Sequence, residues 1–288
     1  MRRTVPALAT AAAAALVAVS VAAPASAAHE QIQVTGLTQN NRLVTFAAGA
    51  PGTILSTVKI TGLDGELLGI DYRPATDQLH GVVRAIDGTG SFVVIDDATG
   101  QVLSRTPLRN AADGTPIVLS GAGFGVDVNP AADALRIVSD TGQNLRVLPS
   151  DRVAAGAPRV SGTTFVDGAI TPADAAVTAI AYTNNDVDPT TGTVLYDLSS
   201  TGDSLAVQIP PNAGVLVTVG PLGLPVGEKA GFDVYTEGAR TIALVSLVDS
   251  GRATLSVVNL ATGAVNPAST MEIGTRPAVV DIAVPTDQ

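Results

Sequence analysis

The 288-residue chain has no cysteine and no tryptophan, and only two histidines. Lysine stands only at Lys59 and Lys229. Each absence removes a class of chemistry. Without cysteine there is no disulfide framework, no thiolate zinc site, no thiol nucleophile and no lipid-attachment cysteine. Stability must then come from packing rather than cross-links. Two histidines, one of them near the start, fall short of the ligand sets of copper–zinc dismutases and zinc hydrolases. No Gly-x-x-x-x-Gly-Lys cradle for phosphate occurs, and no Gly-x-Ser-x-Gly elbow for a nucleophilic serine. Basic residues are scarce overall. Lys and Arg number 16 against 26 Asp and Glu, for a net charge of −10, which leaves no electrostatic footprint for nucleic acid or an anionic membrane. The aromatics are five Phe and four Tyr, most of which fit into strands, so a sugar-stacking platform finds little support.

What is present describes a packed, strand-rich protein. Hydrophobic residues make up 46% and charged residues 15%, so the chain is not of the disordered class. The first segment reads as an address. Arg2 and Arg3 precede an Ala/Val run from Val5 to Ala23, Pro24 breaks it, and Ala25-Ser26-Ala27 supplies a small-x-small cleavage pattern. A signal peptide over 1–27 is expected, with a single domain over 28–288. No later apolar run is long enough to span a membrane, so a mature protein without membrane insertion, secreted or held in the cell envelope, is expected.

An internal repeat organises the rest. Gly69-Ile70-Asp71-Tyr72-Arg73-Pro74-Ala75-Thr76-Asp77-Gln78-Leu79 matches Gly125-Val126-Asp127-Val128-Asn129-Pro130-Ala131-Ala132-Asp133-Ala134-Leu135. Weaker copies run through Ala179-Ile180-Ala181-Tyr182, Gly231-Phe232-Asp233-Val234 and Val279-Val280-Asp281-Ile282. The period is roughly fifty residues, and each unit reads as several short strands separated by Gly-containing turns. After the Gly-apolar-Asp strand come second runs such as Leu79 to Ile86 and third runs such as Phe92 to Ile95. Val, Ile and Thr are abundant, 29 Gly and 18 Pro punctuate the chain, and helical periodicity is nearly absent. Only the stretch from Val153 to Ala176 leaves room for a short helix. The expected fold is therefore all-β: a β-propeller of five four-stranded blades. The runs Ile32 to Leu37, Arg42 to Phe46 and Thr53 to Ile60 supply three strands of one blade. Val279 to Val284 supplies its first, so pairing of the N- and C-terminal strands closes the ring and removes open edges.

These residues resemble a known family. The opening Gly36-Leu37-Thr38 with Asn41-Arg42-Leu43-Val44-Thr45-Phe46, and both full copies of the Gly-x-Asp-x-x-Pro-Ala signature, resemble a bacterial secreted family catalogued as domain of unknown function 4394. The resemblance covers nearly the whole mature chain. It implies a propeller-like β fold and secretion. It implies no activity, so no catalytic residues carry over.

Two groups of oxygen ligands invite a hard cation such as calcium. One is the Asn184, Asn185, Asp186, Asp188 and Thr190 cluster, in a loop inserted relative to the other repeats. Its competing reading is a solvated turn. The other is the recurrent Asp of the first strand: Asp71, Asp127, Asp233 and Asp281, with Ala181 breaking the pattern. In a propeller this strand lies innermost, so equivalent carboxylates could ring the channel. The competing reading is structural, each Asp accepting backbone N–H bonds in its own turn. His80 is the one internal histidine. Arg136 holds the matching position of the next unit, which reads as a solvent-facing strand position rather than a catalytic base. Two functions remain. The first is a non-enzymatic binding module, monomeric, whose partner is a protein or a cell-envelope ligand. The alternative is a calcium-dependent hydrolase or lactonase-like enzyme with its carboxylates at the channel mouth.

Overall fold

The computed structural model describes residues 32–149, 160–237 and 240–286. The expected signal segment over 1–27 lies outside the described residues. So does the start of the 153–176 stretch. Its described part holds a strand and turns, with no helix.

Five antiparallel sheets stand around one axis. Blade 1 contains β21 (Val279–Ala283), β1 (Gln33–Thr38), β2 (Arg42–Ala47) and β3 (Ile54–Lys59), in that order outward. Blade 2 runs β4 (Gly65–Arg73), β5 (Gln78–Ala85), β6 (Gly90–Ile95) and β7 (Val102–Pro107). Blade 3 is β9 (Phe124–Asn129), β10 (Ala134–Ser139), β11 (Asn144–Val147) and β12 (Thr163–Val166). A two-residue strand, β8 (Arg109–Asn110), adds to its outer edge in parallel. Blade 4 holds β13 (Val177–Tyr182), β14 (Leu195–Ser199), β15 (Ser204–Gln208) and β16 (Leu216–Pro221). Blade 5 holds β17 (Ala230–Glu237), β18 (Arg240–Asp249), β19 (Arg252–Val258) and β20 (Met271–Glu272).

The ring closes through the termini. β21 pairs with β1 in the register Thr35↔Ala283, Gly36↔Ile282 and Leu37↔Asp281. The last strand of the chain thus becomes the first strand of the first blade. This leaves no open edge at the joint.

Apolar side chains fill the spaces between blades. Ile32, Val34 and Phe46 meet Leu244, Leu255 and Val279 between blades 5 and 1. Comparable clusters lie between blades 4 and 5, 2 and 3, and 1 and 2. Each wholly buried Leu, Ile, Val or Phe contributes about 1.5–3 kcal/mol. The cluster between blades 3 and 4, built on Val138, Ile180 and Leu195, is the smallest of the five.

The glycine and the second Asp of the repeated motif each have a physical reason. The five first strands crowd the axis, and the motif glycine lets them approach. A Cβ on Gly125 would lie 2.6 Å from the backbone nitrogen of Ile180, and one on Gly231 2.5 Å from that of Ile282. Both atoms belong to the first strand of the next blade. The second Asp of the motif serves the turn that follows. Asp77 and Asp133 adopt φ of 50° and 48°, the left-handed region that Asp tolerates better than most residues. They also tie the ring. Asp133 accepts a bidentate bond from Arg73 of blade 2 at 2.6 and 2.7 Å. Asp77 accepts the backbone N–H of Thr286 at 2.9 Å, just beyond β21.

Candidate functional site

The first-strand carboxylates converge on the axis. Asp71, Asp127 and Asp233 each place an oxygen within 4.8 Å of the others, and all three are buried. Asp281 is buried on the same ring of strands. Asp71, Asp127 and Asp233 line, with Tyr72, Tyr182, Asn184 and Val284 among others, a small axial cavity of about 20 Å³. That is room for one water-sized occupant.

Their hydrogen bonds run from blade to blade. Asp281 Oδ2 accepts from Ile70 N at 2.7 Å, joining blade 1 to blade 2. Asp71 Oδ2 accepts from Val128 N at 2.7 Å, joining blade 2 to blade 3. Asp127 Oδ1 accepts from Tyr182 N at 3.1 Å, joining blade 3 to blade 4. Asp233 Oδ2 accepts from Val284 N at 2.5 Å, joining blade 5 to blade 1. The sequence pattern suggested acceptance within each residue's own turn. Such bonds exist, from Val234 N at 2.6 Å and Ile282 N at 2.9 Å. The principal use is a clasp onto the neighbouring blade.

Blade 4 has Ala181 where the others have Asp, and its clasp comes from elsewhere. Asn185 Oδ1 accepts from Thr236 N at 2.8 Å, joining blade 4 to blade 5. Thr236 stands three residues after Asp233, as Val284 stands three after Asp281. The inserted loop therefore restores the contact that Ala181 lacks.

Electrostatics at the axis are unusual for an acidic protein. Burial raises Asp71 and Asp127 well above the ordinary carboxylate range, and the neighbouring carboxylates add to it. For Asp71 the larger neighbour effect comes from Asp233, and for Asp127 from Asp71. Burial also raises Asp281 well above its ordinary value, and Asp233 to about 7. Crowded carboxyls of this kind either hold protons or neutralise a cation. Three carboxylates whose oxygens surround one small cavity fit the oxygen preference of calcium.

The second group of candidate ligands is arranged differently. Asn184 Oδ1 accepts from Asp186 N at 3.0 Å, Asp186 Oδ1 from Asp188 N at 2.8 Å, and Asp188 Oδ1 from Thr190 N at 2.9 Å. This is a stair of Asx turns, each side chain closing the next turn. Bonds from the Thr190 backbone hold the exposed Asp188 carboxyl below its ordinary value. Asp186 and Asp188 do not join the axial carboxylates, although Asn184 reaches the cavity wall.

His80 and Arg136 depart from the solvent-facing expectation. They are 1% and 2% exposed. Second strands of a propeller are covered on both faces by adjacent blades, so a polar residue there is buried and must find partners. His80 Nδ1 lies 3.0 Å from Gln78 O, and its ring packs near Phe92. Burial lowers its pKa, which keeps it neutral. Arg136 bonds Asn144, Asp167 and Asn212 at 2.7–2.8 Å. Sequence reasoning missed this buried arginine, the Asn185 clasp, and Asp197, which is fully buried on β14. A charged residue amid the apolar run Leu195 to Leu198 was the available signal.

The comparisons with known proteins bear on fold and family. Solved structures to which the chain is similar include a protein provisionally named a 6-phosphogluconolactonase from Bacteroides fragilis. It is 15% identical with a TM-score of 0.41, over 87% of this chain and 69% of that one. TolB from Acinetobacter baumannii is 12% identical with a TM-score of 0.46, over 89% of this chain and 67% of that one. Neither likeness is close enough to carry an argument about activity. No curated protein matches the sequence. A family model matches residues 42–283, which is most of the chain, and the chain belongs to the family described as Domain of unknown function (DUF4394).

Proposed function

We infer that the protein is a non-enzymatic binding module of the cell exterior, a monomeric propeller presenting one ring face to a protein or envelope component. The observation that carries this reading is the employment of the axial carboxylates. Asp71, Asp127, Asp233 and Asp281 each clasp a backbone N–H of a neighbouring blade, and the cavity among the first three holds about 20 Å³. An ester or lactone does not fit there, whereas a single ion does. Calcium at Asp71, Asp127 and Asp233 would neutralise the crowding and lock the ring, a structural service rather than Lewis-acid chemistry. The signal-like start of the chain supports an extracellular or envelope location. No helix of the described residues is long and apolar enough to cross a membrane.

The alternative is a calcium-dependent hydrolase with the same carboxylates at its centre. It requires substrate access to the axis. The test sets the purified protein, with calcium and with chelator, against a panel of esters and lactones. In parallel, its sedimentation with cell-envelope fractions is titrated to saturation. Saturable sedimentation without turnover supports the binding reading. Turnover that chelator abolishes and calcium restores overturns it.

A further inference from the structure

The space between blades 3 and 4 differs from the other four. Four polar side chains stand where apolar ones would seal the interface. Arg136, Asn144, Asp197 and Gln208 are 2%, 1%, 0% and 1% exposed. A crevice of about 310 Å³ opens beside them, lined among the described residues by Asn129, Arg136, Arg146, Tyr182, Pro211 and Asn212, with others. Tyr182 also lines the axial cavity, so the two openings share a wall.

The polar network is incomplete as it stands. Both oxygens of Asp197 and the Oε1 of Gln208 are buried with no hydrogen-bond partner. Gln208 uses its amide nitrogen on Pro211 O, at the crevice wall, at 2.6 Å. Asp197 lies close enough to feel the Arg136 charge, while burial holds its carboxyl well above the ordinary range. Meanwhile two guanidiniums share one carboxylate. Arg136 Nη1 reaches Asp167 Oδ2 at 2.8 Å, and Arg146 Nε reaches the same oxygen at 3.2 Å. The Arg146 guanidinium lies 4.3 Å from the centre of the Phe165 ring, which fixes its plane. Two guanidiniums that share one carboxylate thus line this crevice, in a protein of net charge −10.

We propose that the crevice between blades 3 and 4 binds a small oxyanion, a carboxylate or phosphate group on a hydroxylated molecule, with Arg136 and Arg146 as its charge partners. Paired guanidiniums suit planar or tetrahedral oxyanions. Asn129, Tyr182 and Asn212 give the crevice a polar wall for ligand hydroxyls, and a volume near 310 Å³ suits a small molecule. The inference rests on the binding reading and gives that face a ligand class.

The test titrates citrate, tartrate, glycerol 3-phosphate and inorganic phosphate into the full mature protein by calorimetry at millimolar concentration. Carboxylate and phosphate probes distinguish the two sources of the charge. At least one probe is expected to bind, with affinity falling about tenfold or more in Arg146→Gln. Arg146 is partly exposed at the crevice, so this variant keeps its fold, which its melting temperature verifies. Arg105→Gln, on blade 2, is the control and binds as the wild type does. Failure of all four probes overturns the proposal, as does equal binding by Arg146→Gln. Either result leaves the hydrolase test untouched, so the two readings fail separately.

Discussion

Replacing Asp127 by Asn tests the axial electrostatics with almost no change in shape. The amide Oδ1 still accepts Tyr182 N, and its Nδ2 donates toward the neighbouring carboxylates. What disappears is one negative charge. At 4.8 Å and an effective dielectric near 20, each ionised pair costs about 3 kcal/mol. Asp127 faces two such partners, Asp71 and Asp233, although proton uptake limits the total. Burial alone, which raises Asp233 from 3.8 to about 7, sets a further roughly 4 kcal/mol against its ionised form. The sign follows from linkage. These carboxyls bind protons more tightly folded than unfolded. Their contribution is present in acid and is lost as pH rises, for Asp233 through about 7. Without metal, the wild type is thus expected to lose stability as pH rises from about 4, for Asp233 until about 7. Urea unfolding in chelator should place Asp127→Asn about 3 kcal/mol above the wild type at pH 8, and level with it or slightly below at about pH 4. A variant equally destabilised at both pH values would refute the reasoning and leave the carboxylate only as a hydrogen-bond acceptor.

Other expectations follow from the same contacts. Asn185→Ala removes the clasp between blades 4 and 5 and should cost about 1–2 kcal/mol in chemical denaturation, whereas Asp188→Ala, on the exposed turn, should stay within about 0.5 kcal/mol. Gly125→Ala puts a Cβ 2.6 Å from Ile180 N, so its melting temperature should fall by an amount worth about 3 kcal/mol or more. Truncation before Val279 removes β21, exposes the edge of β1, and should yield aggregated rather than monomeric protein on size exclusion.

Much of the ring was legible in the sequence because the repeat encodes contacts that recur in each blade. The Gly-x-Asp offset marks close approach at the axis and the clasp beside it, and Asp77 and Asp133 mark the left-handed turn. Closure by the termini was legible because the final Val279-Val280-Asp281-Ile282 is a first strand with no second. The direction of the clasps was not, since a carboxylate's partner on another blade leaves no local trace. Asn185 could be placed in an unusual loop but not against Thr236, which lies 51 positions away. The burial of His80 and Arg136 was misread for a related reason. Strand alternation assigns one face to solvent, and a propeller blade covers both. The polar crevice escaped altogether, because Arg136, Arg146, Tyr182 and Asn212 come from separate segments that only the packing of blades 3 and 4 brings together.

The most direct test of the account is the melting temperature of the mature protein at pH 8, in chelator and then with added calcium. If Asp71, Asp127 and Asp233 surround an ion that locks the ring, calcium at about one hundred times its dissociation constant adds about 2.7 kcal/mol, a rise of several degrees. That rise should vanish in Asp127→Asn. An unchanged melting temperature in the wild type would contradict the account and leave the axial carboxyls protonated clasps without an ion.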